Sequence, residues 1–243
     1  MTDDAFVANP DIMPFTFHVP DKMLAHIRDR VAAYPWHEMP DDGGWMYGTN
    51  MEVLKQFCTY WVDGFDWRAQ EARINSFANY RTHVDGIDMH FIHEQGSGPN
   101  PMPLMIAHGW PGTVAEFYEI IEPLAHPERF GGDVADAFTV IAPSLPGFGF
   151  SGRSPRAYGP RRMAGVLNAL MTQRLGVDRY MAQGGDWGSA IASWLGYNHA
   201  ASCAAIHVNA LTMRHAHGPQ TPEEVAWAEA FDRDQIMEDG YRT

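Results

Sequence analysis

Apolar positions along the first third of the chain recur at helical spacing. Leu24, Ile27 and Val31 predict an amphipathic helix over 20–34, with Asp21 as its cap. Val53, Leu54, Phe57, Tyr60 and Trp61 predict a second over Met51–Val62. Between them, 35–48 is irregular and aromatic, and Trp36, Trp45 and Tyr47 read as anchors that pin a loop to the core. From Ile74 the period shortens to that of strands. Residues 75–84 and 87–93 predict a hairpin, joined by Asp85-Gly86. Short apolar runs at 103–107, 138–142, 179–183 and 203–208 then alternate with helical stretches at 114–125, 161–175 and 189–199. Two antiparallel strands feeding strand–helix alternation predict an α/β sheet with helices on both faces. After Leu211 the chain turns polar, and a helix is expected from Thr221.

Composition narrows the function classes. The 243 residues are 45% hydrophobic, with 8 Trp and 13 Phe, enough to fill one large core. Seventeen basic residues against thirty acidic give a net charge of −13 and no basic stripe, which argues against nucleic acid as a partner. Cys58 and Cys203 are far apart and read as free thiols. The acidic N-terminus lacks a signal-peptide pattern, and no run is long enough for a membrane span. A cytoplasmic protein is the expectation.

The chemistry centres on Gln183-Gly184-Gly185-Asp186-Trp187-Gly188-Ser189, set between a strand and a small-residue helix. Small residues around one polar residue at such a turn are the pattern of a nucleophile elbow. The central residue here is Asp, which displaces at carbon through an alkyl ester where Ser would form an acyl ester. The bland alternative is a helix cap, but a cap needs neither the Gly pair before it nor the Gly-Ser after it. His108-Gly109-Trp110-Pro111-Gly112 follows the 103–107 strand and reads either as an ordinary turn or as half of an oxyanion hole. In the second reading the backbone amides of Trp110 and Trp187 are the donors, and Trp110–Pro111 is a candidate cis peptide. The Asp186 carboxyl is then expected in a dry aromatic hollow facing both N–H groups.

Other motifs carry less. Gly147-Phe148-Gly149-Phe150-Ser151-Gly152 matches the dinucleotide fingerprint in letters, but eight residues separate it from the next helix, so it reads as a loop at the site mouth. Twelve histidines include His90 with His93 and His215 with His217, none with partners at metal-ligand spacing. His207 and His108 read as structural, the first in the core and the second ordering its own loop.

These motifs together resemble the epoxide hydrolases of the α/β-hydrolase superfamily, of the microsomal and juvenile-hormone type. The resemblance runs through Phe65-Asp66-Trp67-Arg68 with Glu71, Gly86 to His93, His108 to Gly112, Pro143 to Ser151 and Gly184 to Gly188. It implies an α/β-hydrolase fold: a mostly parallel central sheet with helices on both faces, an N-terminal helical extension, and a C-terminal edge left incomplete. It divides the chain into an N-terminal region (1–73) wrapping the core, a core (74–210) and the start of a lid (211–243). It implies Asp186 as nucleophile and Tyr241 as the first of two lid tyrosines that hydrogen-bond the epoxide oxygen, with Trp187 and Phe148 as apolar walls. The segments that carry the second tyrosine, the charge-relay acid and the catalytic histidine have no match before Thr243, so the chain alone is expected to stall at the ester. No cofactor or metal is implied. The implied partners are a small hydrophobic epoxide and either a second polypeptide or a C-terminal segment completing the sheet, with a homodimer left open. Haloalkane dehalogenase and a non-catalytic binding protein are the competing readings.

Overall fold

The computed structural model describes residues 9–38, 44–46, 48–154, 156–210 and 217–238. The chain divides into two compact units, Met1–Asn209 and Ala210–Thr243. In the first, seven strands form one sheet: β1 (Ile12–Pro14), β2 (Asn79–Val84), β3 (Ile87–Glu94), β4 (Met102–Ala107), β5 (Phe138–Pro143), β6 (Tyr180–Gly184) and β7 (Cys203–Val208). Their spatial order is β1-β2-β3-β5-β4-β6-β7. β1, β2, β3 and β5 pair antiparallel in succession, and β5, β4, β6 and β7 pair parallel. Five of the seven strands therefore point the same way, with β1 and β3 reversed. Among the described residues nothing pairs with the outer edge of β7.

Alternation along the strands feeds two cores. Leu104, Ile106, Val140 and Ala142 face Val114, Phe117 and α4 (Ile121–Ala125). Met105, Ala107 and Ile141 face the opposite side, against α5 (Pro160–Ala169) and α6 (Trp187–Asn198). Side chains of period two on a sheet between two helical layers produce this partition. The hairpin at Asp85-Gly86 is as expected, with φ of 51° and 81° at the two turn residues. Asp tolerates and Gly favours that left-handed region, which matches the twist of the flanking strands.

The N-terminal region holds α1 (Asp21–Ala32), α2 (Met51–Asp63) and α3 (Trp67–Asn75). Asp21 is the first helical residue of α1 rather than its cap; the cap position is Pro20, with no side-chain hydrogen bond. The Asp21 carboxylate pairs instead with Arg68. Side-chain caps start the other two helices: Asp66 Oδ1 accepts from Ala69 N–H at 3.1 Å at α3, and at α2 Asn50 Oδ1 accepts from the N–H groups of Glu52 and Val53 at 3.0 and 3.1 Å. Asn50→Ala is expected to lower stability by about 1 kcal/mol, read as a shift of the urea midpoint; an unmoved midpoint would mean that α2 does not depend on this cap. Trp45 is 66% exposed rather than packed onto the core. Trp36 is half-buried and packs edge-on against Tyr34, and Tyr47 lies outside the described residues.

Glu71 ties this region to the segment that precedes α1. Its carboxylate accepts from the Val19 N–H at 2.8 Å, the Trp67 indole at 3.1 Å and Arg68 at 2.7 and 2.8 Å, and it contacts His18 Nδ1 at 3.0 Å. The Val19 N–H foremost, with His18, Trp67 and Arg68, holds it down at about 2 against an opposing burial effect. Asn75 adds a two-way bond to the Phe17 backbone, at 2.8 Å each way.

The helix expected over 114–125 is two pieces, a 3₁₀ turn at Val114–Phe117 and α4. Thr113 caps the first, accepting from Ala115 N–H at 3.2 Å. The 161–175 helix is α5 followed by a π-type turn at Leu170–Arg174. In the second unit, α7 spans Pro222–Glu238. No helix of the described residues is long and apolar enough to cross a membrane.

Candidate active site

The parallel strands β4 and β6 end side by side, with Ala107 opposite Gly184. Ligand sites of open α/β sheets lie at such carboxyl ends. β6 turns into α6 through Gly185-Asp186, and Asp186 sits at φ 49°, ψ −125°. A non-glycine residue is strained there. The surroundings fix it: Ser189 N–H bonds Asp186 C=O at 3.0 Å, and Ser189 Oγ donates to Gly184 C=O at 2.7 Å.

The loop after β4 meets this turn. Trp110 N–H donates to Asp186 Oδ1 at 2.8 Å. Gly109 leaves the necessary room, since a Cβ there would strike the Asp186 side chain. The Trp110–Pro111 peptide is cis, as its position in the motif suggests. Trp187 N–H, the first amide of α6, makes no hydrogen bond among the described residues. Helix-start amides of this kind are unsatisfied donors at the positive end of the helix dipole. A carboxylate, one bonded N–H and one free N–H therefore belong to one strand-end constellation.

His108 orders the loop, as expected of it. Its Nε2 accepts from Leu145 N–H at 3.1 Å, so the proton is on Nδ1, which donates to Gly109 C=O at 2.9 Å. Burial lowers its pKa, against an opposing effect of the Gly109 carbonyl. With both nitrogens engaged, His108 is not free to act as a base. The loop it reaches, from Ser144, closes on itself through Gly147 N–H to Gly152 C=O at 2.9 Å, and the next helix starts only at Pro160. Gly152 thus opens no helix that could hold a pyrophosphate. Phe148 is half-buried and packs edge-on against His108, with ring centroids 5.6 Å apart.

Three expectations need correction or fall elsewhere. The dry aromatic hollow is absent among the described residues: Asp186 is exposed, Trp110 is 54% exposed and Trp187 49%. The elements of the first unit frame the strand ends without roofing them. His207 is exposed on β7 rather than buried, because it lies on the outermost strand. Tyr241 lies outside the described residues. Asn209 is a residue that motif reading missed. Its N–H reaches Gly184 C=O at 3.4 Å, and a Cβ on Gly185 would come within 2.8 Å of its Oδ1. A polar residue directly after a sheet strand, at the ligand end, was the available signal.

Comparison with known proteins agrees with this geometry. The family described as alpha/beta hydrolase fold matches residues 102–242, and the family described as Epoxide hydrolase N terminus matches residues 12–117. The chain belongs to the alpha/beta hydrolase fold family. Its first part, residues 12–117, is similar to the N-terminal region of epoxide hydrolases. A relative from Stigmatella aurantiaca is 40% identical over 228 residues, covering 91% of this chain and 52% of its own length. Epoxide hydrolase 1 of Sus scrofa is 34% identical over 219 residues, 88% of this chain and 48% of its own. The structure of Aspergillus niger epoxide hydrolase superposes with a TM-score of 0.83 at 31% identity, over 97% of this chain and 62% of that one. The chain spans about half the length of the curated relatives it matches.

Proposed function

We propose that this protein opens a hydrophobic epoxide through Asp186, forming a hydroxyalkyl ester on the way to a vicinal diol. The observation that carries the reading is the strained Asp186 backbone, φ 49°, with its carboxylate on the Trp110 N–H at 2.8 Å. Strain of this kind persists where surrounding structure over-determines it, as at sites that present a reactive group. The carboxylate attacks a ring carbon and the C–O bond of the epoxide breaks. Negative charge develops on the departing oxygen, where a tyrosine O–H would stabilise the transition state more than the ground state. We assign that role to Tyr241. Attack of water on the ester carbonyl then places charge on an oxygen that the Trp110 and Trp187 N–H groups can hold. Trp187 and Phe148 supply apolar surface beside the reacting carbon. The match of residues 12–117 to the epoxide hydrolase N-terminal family favours an epoxide over a haloalkane.

The test is intact-mass analysis of the chain after incubation with styrene oxide. The expected result is an increment of one epoxide, mapped to the peptide that contains Asp186 and absent from Asp186→Asn. Spectra followed over time report whether the ester persists or is released as the diol. Neither adduct nor diol from the wild-type chain, or halide release from a chloroalkane in their place, would overturn the assignment.

A further inference from the structure

A second nucleophile–base arrangement lies at the opposite end of the sheet, where β3 ends and β5 begins. Ser97 Oγ is 2.5 Å from His126 Nδ1, and His126 Nε2 is 3.1 Å from Glu94 Oε1. Glu94 is the last residue of β3 and pairs with Val140 of β5, while His126 is the residue that ends α4. Rigid elements thus position the base and its carboxylate, and the loop holding Ser97 is fixed by Ser97 N–H to Ala125 C=O at 2.8 Å. The His126 side chain is only 12% exposed. Such constellations are recognised by roles and geometry rather than by order in the sequence.

From this we infer that Ser97 is an activated nucleophile for small, neutral acyl or phosphoryl esters, with His126 as its base and Glu94 orienting the imidazole. In the neutral ring Nε2–H donates to Glu94, which leaves Nδ1 to accept the Ser97 hydroxyl proton. Gly98 follows the nucleophile at φ 83°, and its N–H makes no hydrogen bond among the described residues. It is the donor available to an oxyanion. Exposed Val134 borders Gly98, an apolar neighbour for a short acyl group. The net charge of −13 disfavours anionic substrates.

Glu128 is a brake on this site. Its Oε1 is 2.9 Å from Ser97 Oγ and competes with His126 for the one hydroxyl proton. Its negative charge also opposes charge developing on the substrate oxygen. In the covalent step the Ser97 Oγ bonds to the acyl carbon or phosphorus and the bond to the leaving group breaks. The hydroxyl proton passes through His126 Nδ1 to the leaving group.

The experiment uses the full chain and diisopropyl fluorophosphate. The Oγ–P bond forms, the P–F bond breaks, and fluoride leaves with the serine proton as HF. The expected result is one label on the peptide containing Ser97, absent in Ser97→Ala and about 100-fold slower in His126→Gln. Glu94→Gln slows labelling, and Glu128→Gln accelerates it, a gain that misfolding would not produce. Asp186→Asn leaves the rate unchanged, so this inference and the epoxide reading fail separately. An unlabelled Ser97 in the wild-type chain, equal rates for wild type and His126→Gln, or no acceleration in Glu128→Gln would overturn it.

Discussion

Gly188→Ala is expected to destabilise the protein by about 3 kcal/mol or more, and to remove any reactivity of Asp186 with epoxides. The α6 backbone passes so close to the end of β4 that a Cβ at 188 would overlap Ala107 C=O and lie 3.1 Å from His108 C=O. Both neighbours are backbone atoms of a central strand end, so neither can step aside as a side-chain tip would. Overpacking in a well-packed interior typically destabilises by 1–3 kcal/mol, and an immovable neighbour pushes toward the upper end. Relief requires α6 to move off the sheet, which carries Asp186 and the Trp187 N–H away from Trp110. Gly165→Ala is the matched control. Gly165 lies inside α5, and a Cβ there meets nothing within 4 Å. Its replacement is expected to stabilise by up to about 1 kcal/mol through helix propensity alone. Urea denaturation of the two variants should give midpoints on opposite sides of wild type. A Gly188→Ala variant as stable as its parent would show that the strand–helix approach can relax.

Acidification is expected to destabilise the first unit progressively from about pH 6.5 downward, because of His90. His90 is fully buried. Its Nε2 lies 2.9 Å from Asn79 Oδ1 and its Nδ1 2.9 Å from Ser144 Oγ. Asn79 Nδ2 already donates to the carbonyls of Ile74 and Phe77. Its Oδ1 is therefore the acceptor, Nε2 carries the proton and Nδ1 accepts from Ser144. Burial, together with the positive charge of Arg81, moves His90 from 6.5 down to about 3. Between those values the unfolded chain binds a proton that the folded chain refuses, so stability falls as pH drops from about 6.5 toward 3. The full loss from this one group is on the order of 4–5 kcal/mol. Glu71, held at about 2, acts in the same sense below its ordinary 4.5. Urea midpoints measured from pH 7 to pH 4 test this. His90→Gln should begin less stable at pH 7 and lose stability less steeply as pH falls. Parallel slopes for the two proteins would assign the acid sensitivity elsewhere.

The same two examples mark what the amino-acid sequence could disclose. The elbow was legible because steric demand writes itself into composition: Gly-Gly-Asp-Trp-Gly between a strand and a helix has few other uses. The hairpin at Asp85-Gly86 was legible for the same reason. β1 escaped notice because it is a three-residue edge strand, and α3 because its apolar positions are few and its stability comes through the Asp66 cap and the Glu71 bonds. The buried role of His90 depends on Asn79 and Ser144, which are 11 and 54 residues distant from it. No local pattern encodes such a meeting. Burial of the site itself was misjudged, since aromatic residues beside Asp186 suggested a closed hollow, whereas both tryptophans are about half exposed.

The bond from Trp110 N–H to Asp186 falls on Oδ1 alone. A carboxylate has two oxygens that resonance makes identical; here the protein breaks that equivalence before any ligand arrives. Oδ2 accepts no hydrogen bond among the described residues, so it is the less engaged of the two and the better placed to meet an incoming electrophile. The two oxygens therefore present themselves unequally to whatever enters: one already committed to the loop after β4, the other open to a guest.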